Sequence, residues 1–280
     1  MTLVLSHYQA ETLLRAREKG QDAADVSPDL GLTTVEVQIK SEEVHFPGGQ
    51  SLTWEDVQRI HDSESSCFLL DGASLQKAQV FSELTDRLYS LYPTPSAPTM
   101  LVSGIPMHRI KGTDPHRDTL EKIKAIQPVI GQVLDTATGL GYTAIEAART
   151  AAHVTTIELD PAALKVARLN PWSQALFDNP KITQVVGDSF YEVVRFEDGK
   201  FTRIIHDPPA FSLAGDLYSG EIYRQLHRVL RNGGCLFHYI GNPESKSGHN
   251  ITGSVIRRLQ EAGFIQVRRA ARAFGVVAYK

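Results

Sequence analysis

Cysteine is scarce: Cys67 and Cys235 are the two in a chain of 280 residues, and they lie far apart. They make neither a disulfide framework nor a zinc knuckle, so a reducing cytoplasm is the expected compartment. Long apolar runs are missing as well. No stretch approaches the ~18–20 apolar residues of a bilayer span, and no membrane helix is expected. The opening MTLVLSHYQAETLLRARE lacks a basic start, a long apolar core and a small-residue cleavage site, so it reads as a helix and not a signal peptide. Basic charge is not in excess. The net charge is -3, which leaves no global footprint for nucleic acid. The histidines show no His-x-His or His-x-x-x-His spacing, and no metal ligand is named. Internal repeats and low-complexity tracts are absent.

Apolar residues make up 42% of the chain, enough for a packed core. The length suits one large domain and a smaller one. Charge is uneven along it. Residues 1–110 carry 8 basic and 15 acidic side chains, a balance of -7, and residues 111–280 carry 21 and 17, a balance of +4. A late cluster, Arg257, Arg258, Arg268, Arg269 and Arg272, leaves phosphate contact open beside the plainer reading of a solvated surface.

The first part mixes patterns. TTVEVQIKSEEVHF alternates as a half-buried strand or hairpin does, and SLTWEDVQRIHD opens a helix with a hydroxyl cap and an acidic first turn. LQKAQVFSELTDRLYSLY, residues 75–92, has a helical apolar period. PTPSAP then breaks the pattern. We expect a small α+β domain over residues 1–98, of unknown role, and a second domain over 99–280.

From Thr113 strands and helices alternate, which predicts an α/β fold built on a parallel sheet with helices on both faces. Ligands in such sheets bind at the carboxyl ends of the strands. VLDTATGLGYTA carries Gly139, Gly141 and Ala144 in G-x-G-x-x-A spacing, with Glu158 about 20 residues on. A dinucleotide or S-adenosylmethionine fits that turn equally well. Three features favour the second. Asp135 before the glycines would repel a pyrophosphate but suits an ammonium and a sulfonium. Asp188 ends the third strand, where an acid reaches an adenine amine. His206-Asp207-Pro208-Pro209 ends the fourth, where two prolines fix a rigid turn and leave carbonyls free to accept.

VLDTATGLG, TIELD, VVGD and HDPPAF, followed by LRNGG before a fifth strand, resemble the class I S-adenosylmethionine-dependent methyltransferases. SGIPMHR, TGLGYTAIEA, NPWS and HDPPAFSLAGDLYS are similar to an uncharacterised group of predicted methyltransferases common in archaea. The resemblance implies a Rossmann-like seven-stranded sheet and S-adenosyl-L-methionine as cofactor. It places Asp135, Gly139 and Gly141 along the methionine and ribose part, Glu158 on the ribose hydroxyls and Asp188 on the adenine amine. Thr136, Ala137, Tyr142, Leu159 and Ser189 complete the cofactor set. Ala137 stands where many members have a first glycine. On the acceptor side the resemblance gives Asp207, with Pro208 and His206 beside it, as amino-methyltransferases hold an acceptor amine with an Asx-Pro-Pro-aromatic motif. Here the aromatic, Phe211, comes one place later.

Cys235, inside GGCLFHY, reads as core and not as the nucleophile of a cytosine-carbon enzyme. The acceptor, RNA or a small molecule at nitrogen, stays open. A polyamine aminopropyltransferase is the alternative, with Asp207, Asp216 and Glu221 facing a polycation. It lacks support from the consecutive glycines of that family. A binding module reusing the fold is a third reading. His238, His108 and His116 are further general-base candidates. SLAGDLYS with Tyr218, and NPESKSGHN with Lys246, are candidate covers for the site.

Overall fold

A computed structural model describes residues 3–72, 74–209, 214–241 and 246–280. Its contacts form two compact units: residues up to His116 together with Ala162–Gln174, and Arg117–Pro161 together with Ala175–Lys280.

The first unit is built of short antiparallel sheets. Leu3–Leu5, Phe68–Asp71 and Ser74–Lys77 make one; Ala23–Val26, Val35–Ile39, Glu43–His45 and Ser51–Thr53 make a meander. The alternating stretch at 33–46 is thus a hairpin, with Gln38 opposite His45. Helices His7–Glu18 and Trp54–His61 pack with these strands around Leu13, Val37, Leu52, Val57, Ile60 and Phe68. Thr53 caps the second helix, accepting the Asp56 N–H at 3.1 Å.

Residues 75–92 depart from the helix that their apolar period predicts. They form part of Ser74–Lys77, then Gln79–Ser82 and Arg87–Tyr92, and the last two pair as a hairpin. Tyr89 and Leu91 are buried while Leu88 is exposed, the two-residue alternation of a strand. Pairing with Thr99–Val102 on the far side of Arg87–Tyr92 fixes this choice, and Asp86 takes the turn at φ 52°.

The second unit holds a seven-stranded sheet. Its strands are β1 (Gln132–Asp135), β2 (His153–Glu158), β3 (Ile182–Val186), β4 (Phe201–His206), β5 (Leu230–Tyr239), β6 (Gln266–Ala270) and β7 (Gly275–Tyr279). They lie in the order β3-β2-β1-β4-β5-β7-β6. β1 to β5 run parallel. β7 is antiparallel to both neighbours, so the sheet is mixed rather than wholly parallel. The cause is the link between β6 and β7, residues 271–274, with Phe274 at φ 52°. A turn that short reverses the chain and leaves no room for a crossover helix. The glycines of LRNGG lie within β5, where its register against β4 slips.

The helices are α1 (Pro115–Ala125), α2 (Tyr142–Ala148), α3 (Pro161–Leu169), α4 (Gln174–Asp178), α5 (Ser189–Glu192), α6 (Gly220–Val229) and α7 (Lys246–Glu261). α6 buries Ile222, Tyr223, Leu226 and Val229, one stripe of the helix, against a core that includes Leu134, Ile204 and Leu236. Among the described residues no helix is long and apolar enough to cross a membrane. Strand order reverses between β1 and β4, and such a switch opens a crevice beyond the carboxyl ends of those strands. The predicted site residues cluster at that end.

Candidate functional site

The turn after β1 is organised by a buried acid. Asp135 is 0% exposed. Its Oδ2 accepts from the hydroxyls of Thr143 at 2.8 Å and Thr156 at 3.3 Å, and its Oδ1 from the Ala137 N–H at 3.4 Å. Both oxygens therefore face inward. Thr138 donates its N–H to Ile157 O at 2.9 Å, which ties the turn to β2. Gly141 is at φ 78°, and a Cβ there would stand 2.6 Å from Leu176 Cδ2. Gly139 is also left-handed, at φ 52°, but a Cβ there would meet nothing within 4 Å. One glycine is needed for packing; the other faces open space, as a ligand cradle requires. Tyr142 starts α2 and is buried.

Burial pushes the Asp135 carboxyl up to about 7, against the pull of Thr143. A carboxyl whose folded value lies above its unfolded value binds protons more tightly in the folded state. Its contribution to stability is then full below about pH 4 and is lost as pH rises through about 7. Asp135→Asn should flatten that fall. Thermal midpoints of wild type and variant, measured between pH 4 and 8, check it; parallel curves would reject the buried proton.

The ends of β2 and β3 supply the next groups. Glu158 Oε2 accepts the Gly139 N–H at 2.8 Å, and Oε1 accepts the Asp160 N–H at 3.1 Å. Burial raises this carboxyl, while the N–H groups of Gly139, Asp160 and Leu159 hold it back. A carboxylate has about four lone-pair sites, so acceptor capacity is left for a hydroxyl. Leu159 and Val186, the latter paired with Glu158 across the sheet, are 51% and 54% exposed. Large apolar side chains left open beside an acid suit a flat heteroaromatic face. Asp188 caps α5, its Oδ1 accepting the Phe190 N–H at 2.9 Å. Ser189 is buried and donates its hydroxyl to Thr136 O. The open glycine, the spare acceptors and the exposed apolar pair together fit an adenosyl ligand.

The fourth strand ends in a buried polar chain. Thr136 Oγ1 and His206 Nδ1 are 2.7 Å apart, and His206 Nε2 is 2.7 Å from Leu217 O. A carbonyl only accepts, so Nε2 carries the proton and Nδ1 accepts from Thr136. The same logic makes His238 Nδ1 the donor to His206 O at 3.3 Å and His238 Nε2 the acceptor of the Tyr223 hydroxyl at 2.7 Å. Both rings are fully buried. Burial lowers His206 to about 4 and holds His238 well below its ordinary value, so both are neutral at pH 7. All four ring nitrogens are engaged, and neither ring offers a lone pair to the crevice.

Asp207 differs. Its side chain is 18% exposed, and its Oδ2 lies 2.6 Å from Lys122 Nζ on α1. Pro208 is buried, and the Tyr218 hydroxyl donates to Pro209 O at 3.0 Å, fixing the turn after β4. Lys122 and its second partner Asp118 were not among the sequence-predicted residues. Their i, i+4 spacing reads as an exposed helix pair, and nothing local signals burial.

His108 bonds Thr99 Oγ1 at 2.9 Å and His116 stacks near Trp172, both within the first unit. Asp216 and Glu221 are exposed. Cys235 is 4% exposed, and burial pushes its thiol up, as for a core residue. Phe211, Asn242–Ser245 and the Lys246 side chain fall outside the described residues. Arg257 pairs with Glu261, Arg258 donates to Tyr218 O, and Arg268 lies over the Tyr279 ring. Among the described residues no three His, Cys, Asp or Glu side chains are grouped to hold a metal ion.

Comparison with known proteins agrees with this geometry. Residues 133–234 match the methyltransferase domain family. The uncharacterized protein MJ1233 of Methanocaldococcus jannaschii is 44% identical over 237 residues, covering 84% of this chain and 80% of its own. A polyamine aminopropyltransferase of Sulfurisphaera tokodaii is 31% identical over 90 residues, 30% of either chain. Among solved structures, spermidine synthase from Thermotoga maritima aligns with a TM-score of 0.55 at 18% identity, over 70% of this chain and 68% of that one. MNMC2 from Aquifex aeolicus gives 0.52 at 17% identity, over 68% and 70%. These two likenesses are of fold alone. With a methyltransferase domain matched from the glycine turn to β5, and a relative aligned along most of the chain, this protein has a methyltransferase domain over residues 133–234 and belongs to the family of the M. jannaschii protein.

Proposed function

We propose that this protein transfers a methyl group from S-adenosylmethionine to a nitrogen of an RNA or small-molecule acceptor. The observation that carries the reading is the placement of Gly139, Glu158 and Asp207 at the ends of three neighbouring strands, β1, β2 and β4. Glu158 accepts from the ribose hydroxyls, Asp188 from the adenine amine, and Leu159 lies against the ring. Gly139 lets the backbone approach. Asp135 acts through the turn, since its oxygens are spent on Thr143, Thr156 and Ala137. The cofactor supplies a methyl group on a sulfonium, already activated toward a lone pair, so the protein's task is to bring and aim the acceptor. Asp207 and the carbonyl of Pro208 do that at the end of β4. His206 positions this turn from behind through Thr136 and Leu217.

Glu158→Ala should weaken S-adenosylmethionine binding by about 1.5–3 kcal/mol, the worth of hydrogen bonds to a charged group. Titration calorimetry checks it, and unchanged affinity in a folded variant would remove Glu158 from the site. Mass spectrometry of ligand carried through purification tests the class. S-adenosylmethionine or its demethylated product supports methyl transfer. Decarboxylated S-adenosylmethionine would select the aminopropyl reading, which the local likeness to the S. tokodaii enzyme favours.

A further inference from the structure

Beside Asp207 lies a buried lysine. Lys122 is 2% exposed. Its Nζ lies 2.8 Å from Asp118 Oδ2, one turn back on α1, and 2.6 Å from Asp207 Oδ2. The Tyr239 ring centroid is 4.8 Å away. Burial by itself would strip the proton from this amine. The two carboxylates outweigh it and raise Lys122 above its ordinary value, so it is a charged ammonium.

Asp118 already gives Lys122 a partner on its own helix. The second carboxylate comes from 85 positions along the chain. Asp118 has a side chain that is 0% exposed, whereas that of Asp207 is 18% exposed, so of the two carboxylates Asp207 is the one open to solvent. Among the described residues Lys122 holds Oδ2, and no donor reaches Oδ1.

We propose that Lys122 is a positioning residue for the acceptor site: it grips Asp207 through Oδ2 and keeps the carboxylate ionised, leaving Oδ1 to accept an N–H from an uncharged nitrogen acceptor. The proposal rests on the reading of Asp207 as the acceptor's partner. An ionised Oδ1 accepts the N–H and turns the nitrogen lone pair toward the methyl group. As the nitrogen–carbon bond forms, the carbon–sulfur bond breaks and the sulfonium leaves as a neutral thioether; the nitrogen then carries one proton too many, and that proton passes to Oδ1. A protonated Asp207 would present a donor in place of an acceptor and do neither.

The charged and titratable groups facing Asp207 are Lys122 and Asp118 from α1, Asp135 from the end of β1 and Tyr218 from the turn at 215–218. Of these Lys122 alone is positive. Burial raises the Asp207 carboxyl and Lys122 opposes it. Without the ammonium, burial and Asp118 both favour the protonated form.

The test is a carbon-13 carboxyl titration of the full chain, with the Asp207 signal assigned by its loss in Asp207→Asn. Lys122→Met should raise the Asp207 midpoint by about one pH unit or more, a tenfold change in proton affinity. Lys122→Arg should restore most of it. Affinity for S-adenosylmethionine, read by calorimetry, should be retained in both. The acid limb of tritiated methyl transfer to whichever extract fraction accepts label should move up by the same amount, which a purely structural lysine would not cause. An unmoved Asp207 midpoint in folded Lys122→Met overturns the proposal. If that variant does not fold, Asp118→Asn with Lys122→Met removes the stranded buried charge, and an Asp207 midpoint in this double variant no higher than in Asp118→Asn alone overturns the proposal equally. A wild type that binds no S-adenosylmethionine would defeat the cofactor reading instead, and the midpoint shift is measured independently of it.

Discussion

Asp207→Asn should lose methyl transfer by about 10²–10⁴-fold, the usual worth of a group handling a proton at the reacting atom, while S-adenosylmethionine affinity stays nearly intact. Asparagine keeps the shape at the end of β4 and removes the charge. The cofactor groups come from other strands: Gly139 and Glu158 bond each other, and neither touches Asp207. An interaction made with the acceptor alone contributes nothing to binding the other ligand. Calorimetry with S-adenosylmethionine, beside incorporation of tritiated methyl into the accepting extract fraction, reads the two quantities separately. Equal loss of both would mean that Asp207 holds the turn together. Full transfer by the variant would move the chemistry away from β4.

Gly141→Ala should destabilise the second unit by roughly 2–5 kcal/mol. A left-handed backbone costs an alanine about 1–2 kcal/mol, and forcing a methyl into a packed site costs about 1–3 kcal/mol more. The packed site is Leu176, 2.6 Å from where the Cβ would stand and itself fully buried. Gly139→Ala makes the contrast. It carries the backbone strain but meets no protein atom within 4 Å, so its loss should show in cofactor affinity more than in stability. Denaturant unfolding and calorimetry on both variants give four numbers. Indistinguishable profiles for the two glycines would dismiss the division of labour between them.

The alternating half of the chain was legible because each of β1 to β5 is followed by a helix. The glycine turn, Glu158 and Asp188 were found because their spacing along the chain mirrors their places at successive strand ends. Residues 75–92 misled because Leu75, Ala78 and Leu91 satisfy a helical period as readily as a strand's, and the decision lies with Thr99–Val102, which pairs alongside. His206 and His238 looked like candidate bases because sequence shows a histidine's type but not its neighbours. Their partners, Thr136, Leu217 and Tyr223, come from three separate segments. Lys122 escaped notice for a related reason: a lysine four residues after an aspartate looks like helix surface until the strand that covers it is placed. The reversal of β7 was hidden in a link whose length, rather than its residues, decides strand direction.

The outermost strand of the large sheet has a consequence for encounters between copies of the protein. β6 pairs with β7 on one side, and among the described residues no strand pairs with its other edge, which carries backbone donors and acceptors. It carries two successive exposed arginines, Arg268 and Arg269, a short distance from Ile265, which is 81% exposed. Two such edges meeting would set guanidinium against guanidinium, and charged outer strands of this kind resist edge-to-edge growth. Arg268 and Arg269 thus stand as a fence along β6, raising the cost of pairing a second copy against that edge.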